Sequence, residues 1–443
     1  MKKSFKQILA LVLSLLMLLS LVGCGGKKDA SADQKTVVFW NLLYNTGNLE
    51  SDKDKTADEL YINRAIAQFE EENPDIKIEM VTPSQEDYYS LLKAAFVAEE
   101  GPDVVMLWTG GFTTDYQDYL LPLEDLFSEE ERAQLLGWEL CRRDLAADGE
   151  IIAVPVTMAP PYSIYYNKAV FQQAGIDPET VDIKTWDDLL ALCGELKAAG
   201  VTPFYMGEKE GTNFTFTLTQ LWGSAAGEQP FVDIRNGDVT FSEAPYLKEA
   251  LEAWKALYTN GYTNPDVMSL TWGDGHAKFL AGESAMEIGM GFYSQDVSSA
   301  LGEDAGFFPA PVLSADCAYP NADFGGFPGN CFAIPKYSKV SEEGARFIKF
   351  LCSKEQQDTY VAENLGDFSN HVDAVAPVSE TNVLYSGLWN LSKEKDALIG
   401  WDNIVQGDIC GEVLTFSSQI MTGEMSIEDA LARFDAKQAE VLG

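Results

Sequence analysis

Between Thr36 and Leu107 the chain alternates three apolar runs of strand character with two amphipathic segments, and that order constrains the fold more than any other feature. Thr36–Trp40 is a short apolar strand, and Ile62, Ala65, Ile66 and Phe69 recur at helical spacing until Asn73-Pro74 stops the helix. Ile76–Val81 alternates as a strand. Tyr88, Leu91, Leu92, Ala95 and Phe96 then line one face of a helix within 83–100, and Gly101-Pro102 precedes the buried-type strand Asp103–Leu107. A βαβαβ order predicts a parallel sheet. Open parallel sheets take ligands outside the carboxyl ends of their strands, which singles out Trp40-Asn41 and Trp108-Thr109.

A second α/β unit follows. Glu150–Val156 and Tyr162–Tyr166 read as strands, and Thr185 with Asp188 caps a helix carrying Leu189, Leu192, Cys193 and Leu196. Pro245 opens another helix, bearing Leu247, Leu251, Trp254 and Tyr258. Met286–Met290 and Cys331–Ile334 look like further strands, and helices beginning at Ser341, Ser353 and Ser426 make the C-terminal part mostly helical. There is no internal repeat.

With 443 residues, 46% of them hydrophobic, the chain is too long for one core, and two or three domains are expected. Its 31 basic against 69 acidic residues leave a net charge of −38, which repels nucleic acid and anionic lipid headgroups. The acids are scattered along helix faces and read as a solvated surface. Of the seven cysteines none forms a C-x-x-C pair, and core thiols are the default reading. Cys317 and Cys331, flanking one loop, are the two placed for a bridge.

Lys2, Lys3 and Lys6 precede an apolar run, Ile8–Val22, of about 15 residues, short of the roughly 20 that a spanning helix needs. The run ends in Leu21-Val22-Gly23-Cys24, which resembles the lipobox of bacterial lipoproteins. The resemblance implies a signal peptide over 1–23 and acylation of Cys24; two acyl chains hold firmly where one does not. Residues 24–35 then read as a flexible tether.

The ordered signals resemble the extracellular sugar-binding lipoproteins of bacterial ABC importers, relatives of the maltodextrin-binding protein. The likeness is carried by Phe69–Glu79, Gly101–Val105, Ile151–Pro155, Ile164–Lys168 with Phe171 and Ala174–Ile176, Thr185–Leu189, Phe279–Met286 and Ala345–Leu351. It implies an α/β, two-lobe periplasmic-binding-protein-like fold, each lobe a sheet flanked by helices, with a hinge between them. By analogy the chain crosses near 156–160, 302–306 and 335–339, giving a first lobe of 36–158 and 304–336 and a second of 159–303 and 337–443. Closure around a ligand is what such an architecture supplies. Permease subunits of the importer are the implied partners, with the receptor a monomer on the outer face of the membrane, and a lipid leash points to a Gram-positive cell.

A pyranose presents an apolar face and a hydroxylated rim, so its site needs flat aromatic rings together with amide, hydroxyl or carboxylate groups. The loops offer Asn41, Tyr44, Asn45, Trp108, Thr109, Asn213, Trp272, Asp274, Phe292, Tyr293, Asp323, Phe324 and Phe327. By the resemblance Tyr44 and Asn45 occupy positions of polar contacts, Asn213 lies in an aromatic second-lobe loop, and Phe292 replaces a stacking tryptophan. Trp40, Trp138, Trp186, Trp254 and Tyr258 read as packing. The rival class is a secreted glycoside hydrolase, which needs two facing carboxylates. His276 and His371 are the only histidines, so Ser-His-Asp and multi-histidine metal sites lack the residues they require. Asp52, Asp54 and Asp58 lack the glycine and terminal glutamate of a calcium loop and read as solvated; no metal or cofactor is expected. A peptide or polyamine ligand, which Asp274 and Asp323 would suit, stays open.

Overall fold

The computed structural model describes residues 34–42, 55–84, 87–364, 366–375, 379 and 381–443. Cys24, the leader and most of the tether lie outside them, as do Tyr44, Asn45, Asp52 and Asp54.

The described strands are β1 (Lys35–Trp40), β2 (Ile76–Val81), β3 (Val104–Trp108), β4 (Val154–Pro155), β5 (Thr157–Met158), β6 (Tyr162–Asn167), β7 (Met286–Met290), β8 (Ala305–Pro309), β9 (Ala322–Phe324), β10 (Asn330–Ala333), β11 (Phe368–Ser369) and β12 (Asp396–Leu398). They form two main sheets, ordered β2-β1-β3-β10-β4 and β7-β6-β8, plus the pairs β11-β5 and β12-β9. The opening βαβαβ gives the parallel part of the first sheet, β1 pairing with β2 from Lys35↔Ile76 to Trp40↔Val81 and with β3 at Phe39↔Val104. The strand seen in the sequence at Cys331–Ile334 enters the same sheet antiparallel, Asn330 opposite Trp108, so this sheet is mixed.

Two core clusters follow the sheets, the first also taking in Tyr165 and Ala305 from one face of the second sheet. Val37, Phe39, Phe69, Phe96, Met106, Phe332 and Phe347 belong to one, and Ile164, Phe171, Trp186, Trp222, Trp254, Ile288 and Phe434 to the other. Two cores, each built on a sheet flanked by helices, make a two-lobe α/β fold. Trp186 and Trp254 are core residues as read from the sequence.

The lobe limits need correction. β8, expected in the first lobe, pairs with β6 from Ser163↔Pro309 to Asn167↔Ala305 and so belongs to the second sheet. The helix Ser341–Leu351, expected in the second lobe, packs Phe347 on Phe39 (5.5 Å) and Phe69 (5.2 Å) of the first. The chain leaves the first sheet at Pro155 and enters the second at Tyr162, close to the first expected crossing. It returns not near 302–306 but between Phe324 and Asn330, and crosses again after Ser369 by way of the helix Tyr385–Glu394 to β12.

These crossings lie side by side. Ala159 N–H donates to Phe327 O (2.8 Å) and Gly326 N–H to Ala159 O (2.8 Å), while Met158 pairs with both Phe368 and Pro328. Gly325 and Gly326 have φ of +147° and +74°, and a Cβ on Gly325 would come within 2.8 Å of Pro160 O, so only glycine fits there. No described helix is long and apolar enough to cross a membrane.

Candidate functional site

The carboxyl ends of β1 and β3 and the start of β10 share one edge of the first sheet, bringing Trp40, Trp108, Thr109 and Asn330 to the side where the chain crosses. Trp108 is half-buried at this edge; its N–H donates to Tyr89 Oη (3.0 Å), and its ring packs against Phe112 (4.9 Å) and Tyr89 (5.4 Å). Two polar residues of this edge have their side chains engaged inside the protein. Asn41 is fully buried and donates to Met80 Sδ (3.5 Å), and Thr109 donates its hydroxyl to Pro328 O at 2.6 Å.

The second lobe supplies a run of aromatic rings. Phe327 stacks on Phe324 (5.5 Å), Phe324 meets Phe216 (5.7 Å), Phe216 meets Phe292 edge-on (6.4 Å), Phe292 meets Tyr293 edge-on (4.6 Å), and Tyr293 stacks on Trp272 (4.6 Å). Phe327 lies on a crossing segment, its carbonyl accepting from Ala159 N–H (2.8 Å), and a Cβ on Gly366, just before β11, would come within 3.3 Å of Phe292 O, so the run stands beside the crossings. Phe292 is 36% exposed; Phe324 and Phe327 are buried. Phe292 and Tyr293 lie in a single helical turn after β7, and Trp272 opens the helix Trp272–Leu280 instead of sitting in a loop. Phe216, on the helix Thr212–Ala226, is a wall residue that the loop-based reading missed; its signal was the Phe214-Thr-Phe216 spacing beside Asn213.

The acidic candidates divide by role. Asp274 is exposed and completes a capping box: Thr271 N–H and Oγ donate to its Oδ2 at 2.9 and 2.7 Å, and that bonding holds its carboxyl below the usual range. This gives it a structural duty the ligand reading did not include. Asp323, on β9, is buried; Tyr162 N–H donates to its Oδ1 (3.1 Å) and its Oδ2 has no partner. Burial pushes its carboxyl up to about 8, against the pull of Lys395 and the Tyr162 amide. Glu208 is likewise pushed up to about 8 by burial, although the Asn213 side chain and the Phe214 and Asn213 amides act the other way. Asn213 is buried beside it, with its own Oδ1 unpartnered. Neutral acids of this kind donate hydrogen bonds rather than anchor cations.

On one flank the lobes touch. Asn403 Nδ2 is 3.5 Å from Thr109 O, Arg235 donates to both Ile404 O (2.8 Å) and Thr114 Oγ1 (3.1 Å), and Gly407 N–H donates to Asp115 (3.2 Å). Asp402 and Trp401 also lie here, Asp402 Oδ1 and the Trp401 indole N–H having no partner. A depression of about 380 Å³ lined by Tyr166, Lys168, Glu303 and Phe307 lies at β8, and none of the aromatic run lines it. Cys317 and Cys331 are free thiols; Cys331 is buried in the first sheet beside Thr113 (3.2 Å) and Cys317 sits against Ser224 of the second lobe, so the bridge considered for them is absent.

Two sheet-based lobes joined by adjacent crossings define the two-lobe architecture of periplasmic solute-binding proteins. The family profile described as bacterial extracellular solute-binding protein matches residues 52–358, and the chain belongs to that family, whose members are solute-binding receptors of ABC importers. It is 28% identical over 376 residues, 81% of this chain and 79% of the relative, to an uncharacterised ABC transporter extracellular-binding protein of Pyrococcus horikoshii. It is 23% identical over 367 residues, 77% of each chain, to a multiple sugar-binding protein of Streptococcus mutans. Its fold matches that of a chitin oligosaccharide binding protein with a TM-score of 0.79 at 21% identity, covering 92% of this chain and 99% of that one.

Proposed function

We propose that the protein captures a neutral carbohydrate, mono- or oligosaccharide, between its lobes and delivers it to the permease of an ABC importer. The observation that carries this is the continuous run of rings from Phe327 to Trp272 beside the crossings between the lobes. Flat rings take the apolar face of a pyranose, and Phe292 is the ring of the run that stands 36% exposed. Sugar binding by the Streptococcus mutans relative supports the same reading. Asp323 and Glu208 are kept neutral by burial, which argues against a polyamine. Of the thirteen contact candidates, Trp108, Trp272, Phe292, Tyr293, Phe324 and Phe327 form the working set, joined by Phe216. Asn41, Thr109, Asn213, Asp274 and Asp323 act in support, and Tyr44 and Asn45 remain candidates from the sequence.

The mature chain is held at the outer face of the cell membrane by acyl groups on Cys24, with 24–35 as its tether, and works as a monomer. Metabolic labelling with a palmitate analogue tests this: label on the wild type and none on Cys24→Ala supports the anchor. Thermal-shift screening of the mature protein against saccharides tests the ligand, since a compound that binds only the native state raises the melting temperature. A shift lost in Trp272→Ala, with the sugar recovered intact, supports the proposal; products of hydrolysis in the same wells favour a glycosidase.

A further inference from the structure

Behind the ring wall lies a buried, charged side chain that stacking alone does not require. Trp272 and His276 are four residues apart on one helix, hence on one face of it, and their rings stack at 5.1 Å and 19°. Two other elements grip the imidazole. Its Nδ1 lies 2.9 Å from both carboxylate oxygens of Glu287 on β7, and its Nε2 lies 3.6 Å from Asp296 Oδ2 on the helix Ser294–Leu301. His276 and Glu287 are 6% and 5% exposed. Burial alone would depress the imidazole, but the Glu287 and Asp296 charges and the hydrogen bond that Nδ1–H donates to Glu287 reverse that and push it up to about 10. The ring is therefore an imidazolium at neutral pH, and a desolvated cation against an indole face is a favourable contact. The backbone of Trp272 is fixed as well, its N–H donating to Glu210 (3.1 Å). The indole N–H is buried and has no acceptor among the described residues, so it does not fix the ring.

We infer that His276, held between Glu287 and Asp296, is a positioning residue for solute recognition: it fixes the indole plane of Trp272, and with it the ring face offered to a solute. This rests on the reading of the ring wall as the solute-binding surface. The test is a double-mutant cycle on the mature protein, measured by calorimetry with the saccharide that gives the largest thermal shift. His276→Gln weakens binding roughly tenfold. Added to Trp272→Ala it weakens binding no further, because the two residues act through one another. Glu287→Gln, which keeps the ring but releases it, reproduces the His276→Gln loss and carries the test if His276→Gln does not fold. Unchanged affinity in both single variants, or full additivity with Trp272→Ala, overturns the inference. A ligand-free readout separates it from the sugar reading. Acrylamide quenching of Trp272 emission, taken as the difference from Trp272→Phe, increases in both variants if His276 holds the indole. If wild-type protein binds no saccharide, the sugar reading fails and the quenching alone decides; unchanged quenching overturns the inference.

Discussion

Gly110 of the first lobe lies so close to Asn403 of the second that a Cβ on it would come within 1.7 Å of the Asn403 carbonyl oxygen. The lobes thus meet backbone to backbone on this flank, and at φ +71° the residue also needs glycine's freedom. Gly110→Ala must push the two segments apart and strain its own backbone, and we expect a loss of about 2–4 kcal/mol in stability, the upper range for one substitution. Differential scanning calorimetry checks it; an unchanged melting temperature would show that the contact is not made in solution.

Phe347 assigns the helix Ser341–Leu351 to the first lobe through its contacts with Phe39 and Phe69. Phe347→Ala removes a fully buried ring and is expected to cost about 3–5 kcal/mol. Hydrogen exchange should show β1 and this helix losing protection together while β7 keeps its own. Loss confined to β7 and its neighbours would restore the helix to the second lobe.

Stability should fall as pH rises from about 4 toward 10. Asp323 and Glu208 are raised to about 8, so their unfolded forms lose protons near pH 4 while the folded forms keep them; the stability they contribute is full below the unfolded values and is lost through pH 8. His276, raised to about 10, acts in the same direction between its unfolded value and pH 10. Melting temperatures at pH 5.5 above those at pH 9, with a flatter dependence in Asp323→Asn between pH 4 and 8, are the expected outcome. A rise in stability with pH over this window would contradict the burial of these groups.

Cys141, Cys193, Cys331, Cys352 and Cys410 are buried, and Cys317 alone among the described cysteines is partly exposed. In native protein beginning after Cys24, a thiol reagent should modify Cys317 quickly and the other five only on unfolding. Cys317→Ser should abolish the fast phase; a fast phase that survives would place another thiol at the surface.

Much of the architecture is legible locally. Ile62, Ala65 and Phe69 set the face of the first helix, and the β1–β3 order follows from the alternation of elements. The placement of β8 and β10 was not legible, because a short strand such as Ala305–Pro309 carries no mark of which sheet it joins; that is decided by partners such as Ser163–Asn167, far away in sequence. Trp272, Phe292 and Tyr293, singled out as rings beside glycine and polar residues, come together in one run of rings; their contact with a solute is a proposal. Asn41, Thr109 and Asp274 were less legible: an amide, a hydroxyl or a carboxylate looks the same in sequence whether it meets a ligand or, as Thr109 does, a backbone carbonyl. His276 carries no role of its own in the sequence, where it counts only toward the scarcity of histidines, because its meaning depends on Glu287 and Asp296, which only the fold brings to it.

The central claim is that two lobes close on a carbohydrate along the ring wall. Small-angle scattering of the mature protein, with and without the saccharide that most raises its melting temperature, tests this directly. The account predicts a smaller radius of gyration on binding in wild type and none of that change in Trp272→Ala. A saccharide that binds tightly while the radius stays constant, or binding untouched by Trp272→Ala, would contradict it.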